Sequence, residues 1–266
     1  MEPKVSIIIP CFNLGEFLEE AVDSVFAQSC QDFEIVIVND GSTDAATNRL
    51  LARFRRPRTT VLHSENRGLA AARNLAIEHA RGRYLCALDA DDKLHPSFLE
   101  KTTAILDGDP SIAFVSTWLE IFGTESWVWK QDRLDLPKLL SECVVLTAAP
   151  VRREAVLAVG GYDARLFSGH EDWDFWIGVI EQGMRGVIIP EILFYYRRRP
   201  GQMSETCDRG AERLRLWGNL LAKHSASYQR HWTEVLLLRE QECGRYLCEN
   251  AILEREVEGL RKGDAP

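Results

Sequence analysis

The stretch Arg83-Tyr84-Leu85-Cys86-Ala87-Leu88-Asp89-Ala90-Asp91-Asp92 holds an apolar run that ends in three carboxylates within four residues. The run reads as a buried strand. Carboxylates are expensive to bury without a partner. Three of them at the end of an interior strand repel one another unless a cation or a polar ligand stands there. Mg²⁺ suits such a place, because it takes oxygen ligands and often only one or two protein carboxylates together with phosphates. The rival reading is a solvated acidic turn that opens the next helix. Asp92 alone would suit that reading, since Lys93-Leu94-His95-Pro96 leads into a helix.

Working outward, the preceding residues alternate strand and helix. Val5 to Ile9 reads as a strand ending at Pro10, and Phe33 to Val38 as a second, stopped by Asn39-Asp40-Gly41-Ser42. Between them Phe17 to Gln28 is helical, with Leu18, Ala21, Val22 and Val25 at helical spacing. Ala45 to Phe54 is a second helix, Thr60 to His63 a short strand, Leu69 to Ala80 an Ala-rich helix and Tyr84 to Leu88 the fourth strand. This order implies a mainly parallel sheet with helices on both faces. Ligands of such sheets bind beyond the carboxyl ends of the strands. Pro10-Cys11-Phe12-Asn13, Asp40 to Asp44 and Asp89-Ala90-Asp91 all fall there.

Downstream the pattern is less regular. Ser97 to Leu106 reads as a helix, Ile112 to Leu119 and Cys143 to Thr147 as strands, and Trp127 and Trp129 lie beside a polar excursion. Arg152 to Val159 is a short helix ended by Gly160-Gly161, and Asp172 to Gln182 an apolar helix stopped by Gly183. Val187 to Tyr196 is a β-rich run interrupted by Pro190, and beyond Glu205 the chain reads as helical. Cys243, Tyr246, Asn250, Leu253, Val257 and Leu260 follow a heptad spacing, which suits either a homodimer through the C-terminal helices or a helix packed on its own domain. The tail is expected to be disordered.

Composition is that of an ordinary globular protein, with 45% hydrophobic and 27% charged residues in 266. A net charge of -8 argues against nucleic acid, whose binders show a basic face. The seven cysteines are odd in number and form no CxxC, so they read as reduced thiols of a cytoplasmic protein. The first apolar run is too short for the core of a signal peptide, and no apolar stretch is long enough to span a bilayer.

Individual residues then suggest chemistry. Asp40 follows an apolar strand and precedes Gly41, so its carboxylate can point into the crevice and accept the imide N–H of uracil or thymine; a turn former is the alternative. Asp44 reads as a helix N-cap. Arg73 sits on the Ala-rich helix, where small neighbours allow close packing and an Arg reads as a surface cation. Glu171-Asp172 opens the apolar helix at the end that favours a carboxylate, which is also a common helix-start pattern.

Taken together, Pro10 to Asn13, Asn39 to Asp44, Asn66-Arg67-Gly68, Ala72-Arg73-Asn74, Leu88 to Asp92, Gly160 to Asp163, Glu171-Asp172 and Tyr196 to Gly201 resemble the family 2 glycosyltransferases. The resemblance covers about residues 4 to 204. It implies a GT-A fold of the α/β class, a nucleotide-diphosphate sugar donor and inversion at the anomeric carbon. By resemblance, Pro10, Phe12, Asn13, Asp40, Asn66, Arg73, Asp89, Ala90 and Arg199 face the nucleotide. Asp91 binds Mg²⁺ or Mn²⁺, Asp172 is the general base, and Glu171 and Trp173 face the acceptor. The chain departs from the family where Arg199 stands in place of a frequent His, which can be a metal ligand; Arg cannot be one. Arg197, Arg198 and Arg199 are therefore expected on the diphosphate.

The expected organisation is a transferase domain over residues 1–204, with a nucleotide part at 1–95 and an acceptor part at 96–204. A helical extension over 205–262 and a tail at 263–266 follow. The expected activity is hexosyl transfer from a UDP-sugar to a saccharide or lipid-linked acceptor. The expected setting is the cytoplasm, with peripheral association at the inner face of the membrane as an option. Two rivals stand beside it. A sugar nucleotidyltransferase would start with a Gly-rich basic phosphate loop, which Pro10 to Gly15 lacks. A non-catalytic sugar-binding or scaffold module would not need Asp91 and Asp172.

Overall fold

The computed structural model describes residues 2–167, 169–207 and 210–263, with the side chains of 206 and 252–263 outside that description. The first half is built from β1 (Val5–Cys11), α1 (Gly15–Phe26), β2 (Phe33–Asp40), α2 (Ala45–Arg53), β3 (Thr59–Ser64), α3 (Leu69–His79) and β4 (Tyr84–Ala87). β1 and β2 are buried at every position, as interior strands covered on both faces must be. Their apolar runs therefore lack the alternation of a half-exposed strand. Helix α1 turns Leu18, Ala21, Val22 and Val25 onto the sheet, the stripe expected from their spacing.

β1 pairs in parallel with both β2 and β4, and β2 with β3. The chain runs outward from β1 to β3 and then returns to the other side of β1. The strand order thus reverses at β1, which opens a crevice beyond Cys11 and Leu88.

The second half comprises β5 (Lys93–Leu94), α4 (Phe98–Gly108), β6 (Ile112–Gly123), β7 (Trp127–Trp129), α5 (Leu136–Ser141), β8 (Val151–Arg152), α6 (Arg153–Val159), α7 (Glu171–Glu181), β9 (Arg185–Arg198), α8 (Met203–Cys207), α9 (Gly210–Lys223) and α10 (Ser225–Gly263). The sheet runs β3-β2-β1-β4-β8-β6-β9-β5, with β7 paired to β6. It is mixed: β6 and β9 are parallel, while β8, β5 and β7 join antiparallel.

Three local expectations change, and a fourth gains detail. Lys93–Leu94 pairs with β9 as a short strand before the chain leads into α4. Trp127 and Trp129 form a strand, with Trp129 opposite Leu119. Cys143 to Thr147 is buried chain without ladder pairing; the Leu146 N–H donates to the Ser116 hydroxyl at 3.2 Å, and the segment then turns. Its β-branched residues are satisfied by burial alone. Finally, β9 continues across Pro190, because the register on β6 jumps from Ile189 to Ile192 and leaves the exposed proline outside the ladder.

The C-terminal helices dock on the body. The Tyr228 hydroxyl donates to the Leu140 carbonyl at 2.9 Å, and Arg239 donates to the Ser141 carbonyl at 3.1 Å. Further along α10, Cys243, Tyr246 and Asn250 are exposed, while Leu253, Val257 and Leu260 have side chains outside the described residues, as does the tail from 264. Cys11, Cys86 and Cys207 are buried and Cys243 and Cys248 exposed. Burial pushes the Cys11 thiol up to about 11, so it stays protonated. Among the described residues, no helix is long and apolar enough to cross a membrane.

Candidate active site

Two pockets meet at Asp89. The larger, about 660 Å³, lies beyond the strand ends and is bordered by Pro10, Phe12, Asn13, Asp40, Asn66, Asp89, Ala90, Asp91, Arg197 and Arg199. The smaller, about 380 Å³, is bordered by Arg73, Asp89, Thr147, Glu171, Asp172, Trp173, Trp217 and Arg239. Every residue expected on the nucleotide or its diphosphate borders the larger pocket except Arg73 and Arg198.

The rim of the larger pocket is tied by side chain to backbone. Asn13 holds the left-handed φ of 57° that Asn tolerates. Its side-chain oxygen accepts from Thr43 N at 2.8 Å and Asp44 N at 2.9 Å, and its own N–H donates to the Ser42 hydroxyl at 3.0 Å. The loops after β1 and β2 thus move as one piece. Asp44 caps α2, accepting from Ala46 N and Thr47 N. Phe12 stays 41% exposed at the rim.

Asp40 is 4% exposed and accepts from Arg67 N at 2.9 Å and Gly68 N at 3.0 Å, one bond on each oxygen. It therefore clamps the loop before α3, and a ligand N–H would share an oxygen that already has one donor. Gly41 is required beside it, since a Cβ there would stand 2.3 Å from Asn66 N at a φ of +65°. Arg67 contributes only its backbone; its side chain is exposed.

Arg73 is neither a surface cation nor a residue of the larger pocket. It is 1% exposed, and it donates to Glu171 Oε1 at 2.6 Å and Asp89 Oδ1 at 2.8 Å. Its guanidinium lies 5.2 Å from the Tyr162 ring centroid. One cation serves the buried Glu171 and the partly exposed Asp89, so the cluster keeps excess negative charge. Burial raises the Asp89 carboxyl above its ordinary range, against the pull of Arg73. Burial likewise raises Glu171 to about 7. The Gly160-Gly161-Tyr162 turn docks beside it: Asn74 donates to the Tyr162 carbonyl at 2.7 Å and accepts from Tyr162 N at 2.9 Å. A Cβ on Gly161 would meet the Asn74 side-chain oxygen at 2.6 Å.

Asp92 is not a helix start. It is 2% exposed and accepts the Arg197 N–H at 2.8 Å, which ties the end of β4 to β9. Burial pushes its carboxyl well above the ordinary value. Asp91 faces the larger pocket, where Arg199 Nε stands 2.7 Å from its Oδ2. Among the described residues, no group of three His, Cys, Asp or Glu is arranged to hold a metal. Asp91 still fits a hard cation in one mode, a single carboxylate whose remaining positions are filled by diphosphate oxygens and water.

On the other side, Asp172 stands in the first turn of α7. Its Oδ2 accepts from the Thr147 hydroxyl at 2.7 Å and its Oδ1 from Trp173 N at 2.8 Å. Those two bonds orient the carboxylate at the pocket wall. Trp173 is 6% exposed and donates to the Leu139 carbonyl at 2.6 Å, so it braces α7 against α5 and offers little surface to a ligand. Glu171 accepts from Arg73 on Oε1 and also borders the smaller pocket, so it fixes this turn beside Asp172.

Sequence reasoning missed Thr147, Trp217 and Arg239. Arg213 and Trp217 both border the smaller pocket and lie one helical turn apart, beside the buried Leu216 and Leu220. That pairing on the face next to an apolar stripe was the available signal. Thr147 carried none, because it belonged to a run read as a strand.

This architecture, a parallel half joined to a mixed half with carboxylates at the junction, is that of GT-A-type glycosyltransferases. The mannosyltransferase PcManGT of Pyrobaculum calidifontis, in complex with GDP-Man and Mn²⁺, superposes with a TM-score of 0.66 at 20% identity, over 98% of this chain and 81% of that one. S. aureus TarS (residues 1–349), in complex with UDP-GlcNAc, does so with 0.65 at 19% identity, over 76% of this chain and 60% of that one. The Methanocaldococcus jannaschii protein MJ1057, named an uncharacterized glycosyltransferase, is 26% identical over 207 residues, 74% of this chain and 71% of its own. Residues 6–164 match the model of glycosyl transferase family 2, and the chain belongs to that family.

Proposed function

We propose that this glycosyltransferase moves one sugar, with inversion, from a nucleotide-diphosphate donor to a hydroxyl of a polysaccharide or glycolipid acceptor. The observation that most supports this is the meeting of two pockets at Asp89, one lined by strand-end loops and one by Asp172. The donor occupies the larger and the acceptor the smaller. A UDP-sugar is the first candidate, although TarS is seen with UDP-GlcNAc and PcManGT with GDP-Man.

In the reaction, Asp172 takes the proton of the acceptor hydroxyl as its oxygen attacks C1. The bond from C1 to the phosphate oxygen breaks, and the diphosphate leaves on the opposite face, so an α-linked donor gives a β-linked product. Thr147 and the Trp173 N–H hold the carboxylate in place for this transfer. A bound Mg²⁺ or Mn²⁺ would supply positive charge to the departing diphosphate, and Asp91 is the carboxylate that would hold it. PcManGT with its Mn²⁺ supports that choice.

Residues 1–204 form the transferase domain in this reading, with a nucleotide part at 1–95 and an acceptor part at 96–204. The helices beyond them complete the acceptor wall through Trp217 and Arg239. A cytoplasmic setting and self-association through the distal part of α10, where Tyr246 and Leu247 are exposed, belong to the same proposal. The test is a thermal-shift and hydrolysis screen of UDP- and GDP-sugars with and without Mn²⁺. One donor should stabilise the protein and be split to its nucleoside diphosphate. Stabilisation by sugars alone, with no donor split, would favour a non-catalytic module.

A further inference from the structure

The three arginines that close β9 are not equivalent. Arg197 is spent on structure: its Nε donates to the Asp91 carbonyl at 2.8 Å, it pairs with Glu20, and its guanidinium lies 4.4 Å from the Phe122 ring centroid. Arg198 turns away to the Ser204 hydroxyl at 2.6 Å and does not border the larger pocket. Arg199 alone directs its guanidinium at the crevice carboxylate, with Nε 2.7 Å from Asp91 Oδ2. Only this one edge of the fork is used. Its two terminal nitrogens have no hydrogen-bond partner among the described residues.

The backbone below this side chain is held still. Arg199 N donates to Gln202 Oε1 at 2.7 Å, and the Gln202 amide donates to the Tyr196 hydroxyl at 2.8 Å and the Ser204 hydroxyl at 2.7 Å. A carboxylate fixing Nε and a braced backbone leave the terminal nitrogens pre-aimed. A guanidinium in that state suits two phosphate oxygens of a diphosphate. The same carboxylate oxygen cannot hold both Arg199 and a divalent cation.

Resting on the donor-site reading above, we infer that Arg199 is the resident counter-charge of the diphosphate subsite, oriented by Asp91, and that it sets how much divalent cation this protein needs. The chain binds a nucleoside diphosphate without metal, through the terminal nitrogens of Arg199. A divalent cation gains full hold of Asp91 only when Arg199 releases it.

Calorimetric titration of UDP, GDP and UMP into wild type, Arg199→Ala and Arg199→Lys, in EDTA and in Mn²⁺, tests this. Free Mn²⁺ is read in parallel by electron paramagnetic resonance. The better diphosphate should bind wild type within about threefold in the two buffers. Arg199→Ala should weaken it at least about tenfold in EDTA, with UMP changed far less, because the lost clamp is on the second phosphate. The same variant should bind Mn²⁺ more tightly in the presence of diphosphate, and Arg199→Lys should fall between, keeping charge without the fork. Diphosphate binding that EDTA abolishes in wild type, or that Arg199→Ala leaves unchanged, overturns the inference while the donor site stands. No binding of either diphosphate in either buffer overturns both.

Discussion

The loops at the rim of the larger pocket and the side chains at and behind the smaller one are held by different kinds of bond. At the rim, Asn13 and Asp40 accept backbone N–H groups of neighbouring loops, and Asn39 accepts from Ser42 N at 3.0 Å. At the smaller pocket Arg73 meets Glu171, and in the helix packing behind it ions also meet ions: Lys223 with Asp163 and Asp174, and His224 between Asp174 and Glu181. The Asn13 and Asn39 bonds involve no titrating group. The second kind of bond depends on protonation and leaves a buried charge behind when one partner is lost. The difference teaches that donor recognition and acceptor geometry can fail separately, and each substitution below is chosen to break one and spare the other.

The largest separation is expected from Asp172→Asn. It keeps the shape and hydrogen bonding but cannot take a proton. Steady-state kinetics should show kcat lower by about 10² to 10⁴ with donor affinity nearly unchanged. A matching loss of donor binding would move Asp172 to the donor side and erase the distinction.

Arg73→Met probes the junction between the two regions. It leaves the buried Glu171 and the partly exposed Asp89 with no cation between them, which is expected to cost about 3–5 kcal/mol in chemical denaturation. Acidification should recover part of that, since protonated carboxyls at Asp89 and Glu171 no longer need the guanidinium. A loss of less than about 1 kcal/mol would show that water already reaches this cluster.

The two regions also differ in how far apart in the chain their partners lie. The sheet and the donor rim were legible because each signal sits within one strand and the turn that follows it, as in Ile35 to Ser42 or Leu85 to Asp92. Arg73 meets Glu171 across 98 residues and Thr147 meets Asp172 across 25, and no local pattern encodes either pairing. The family resemblance singled out Arg73 but placed it on the nucleotide, whereas burial between two carboxylates is a property of the assembled fold. Cys143 to Thr147 was misread for a related reason. A β-branched apolar run signals burial, and burial is satisfied here without a ladder.

On the donor side, Asp40→Ala strips both acceptors from the Arg67 and Gly68 amides. Leaving those donors unpaired should cost about 1–3 kcal/mol. The loop before α3 would loosen, so nucleotide affinity should fall by roughly tenfold while kcat at saturating donor holds. A drop in kcat without a change in affinity would mean that the rim also positions the acceptor.

The last contrast concerns pH. His224 is 5% exposed; its ring nitrogens lie 3.1 Å from Asp174 Oδ1 and 2.8 Å from Glu181 Oε2, with Lys223 adjacent and Asp163 beyond it. Burial alone would lower its pKa, but the bonds to Asp174 and Glu181 prevail and raise it to about 9 from an ordinary 6.5. The folded protein therefore holds this proton more tightly than the unfolded chain. The stabilisation is complete below about pH 6.5 and drains away as pH rises through about 9, at roughly 1 kcal/mol per pH unit. Denaturation midpoints of wild type should fall across that window, and those of His224→Gln should be flatter. The loss should appear first in the attachment of α9 and α10 to α7, while nucleotide binding at the rim stays constant over the same range. Parallel slopes in both proteins would assign the alkaline loss to other groups and leave the wall no more sensitive to pH than the rim.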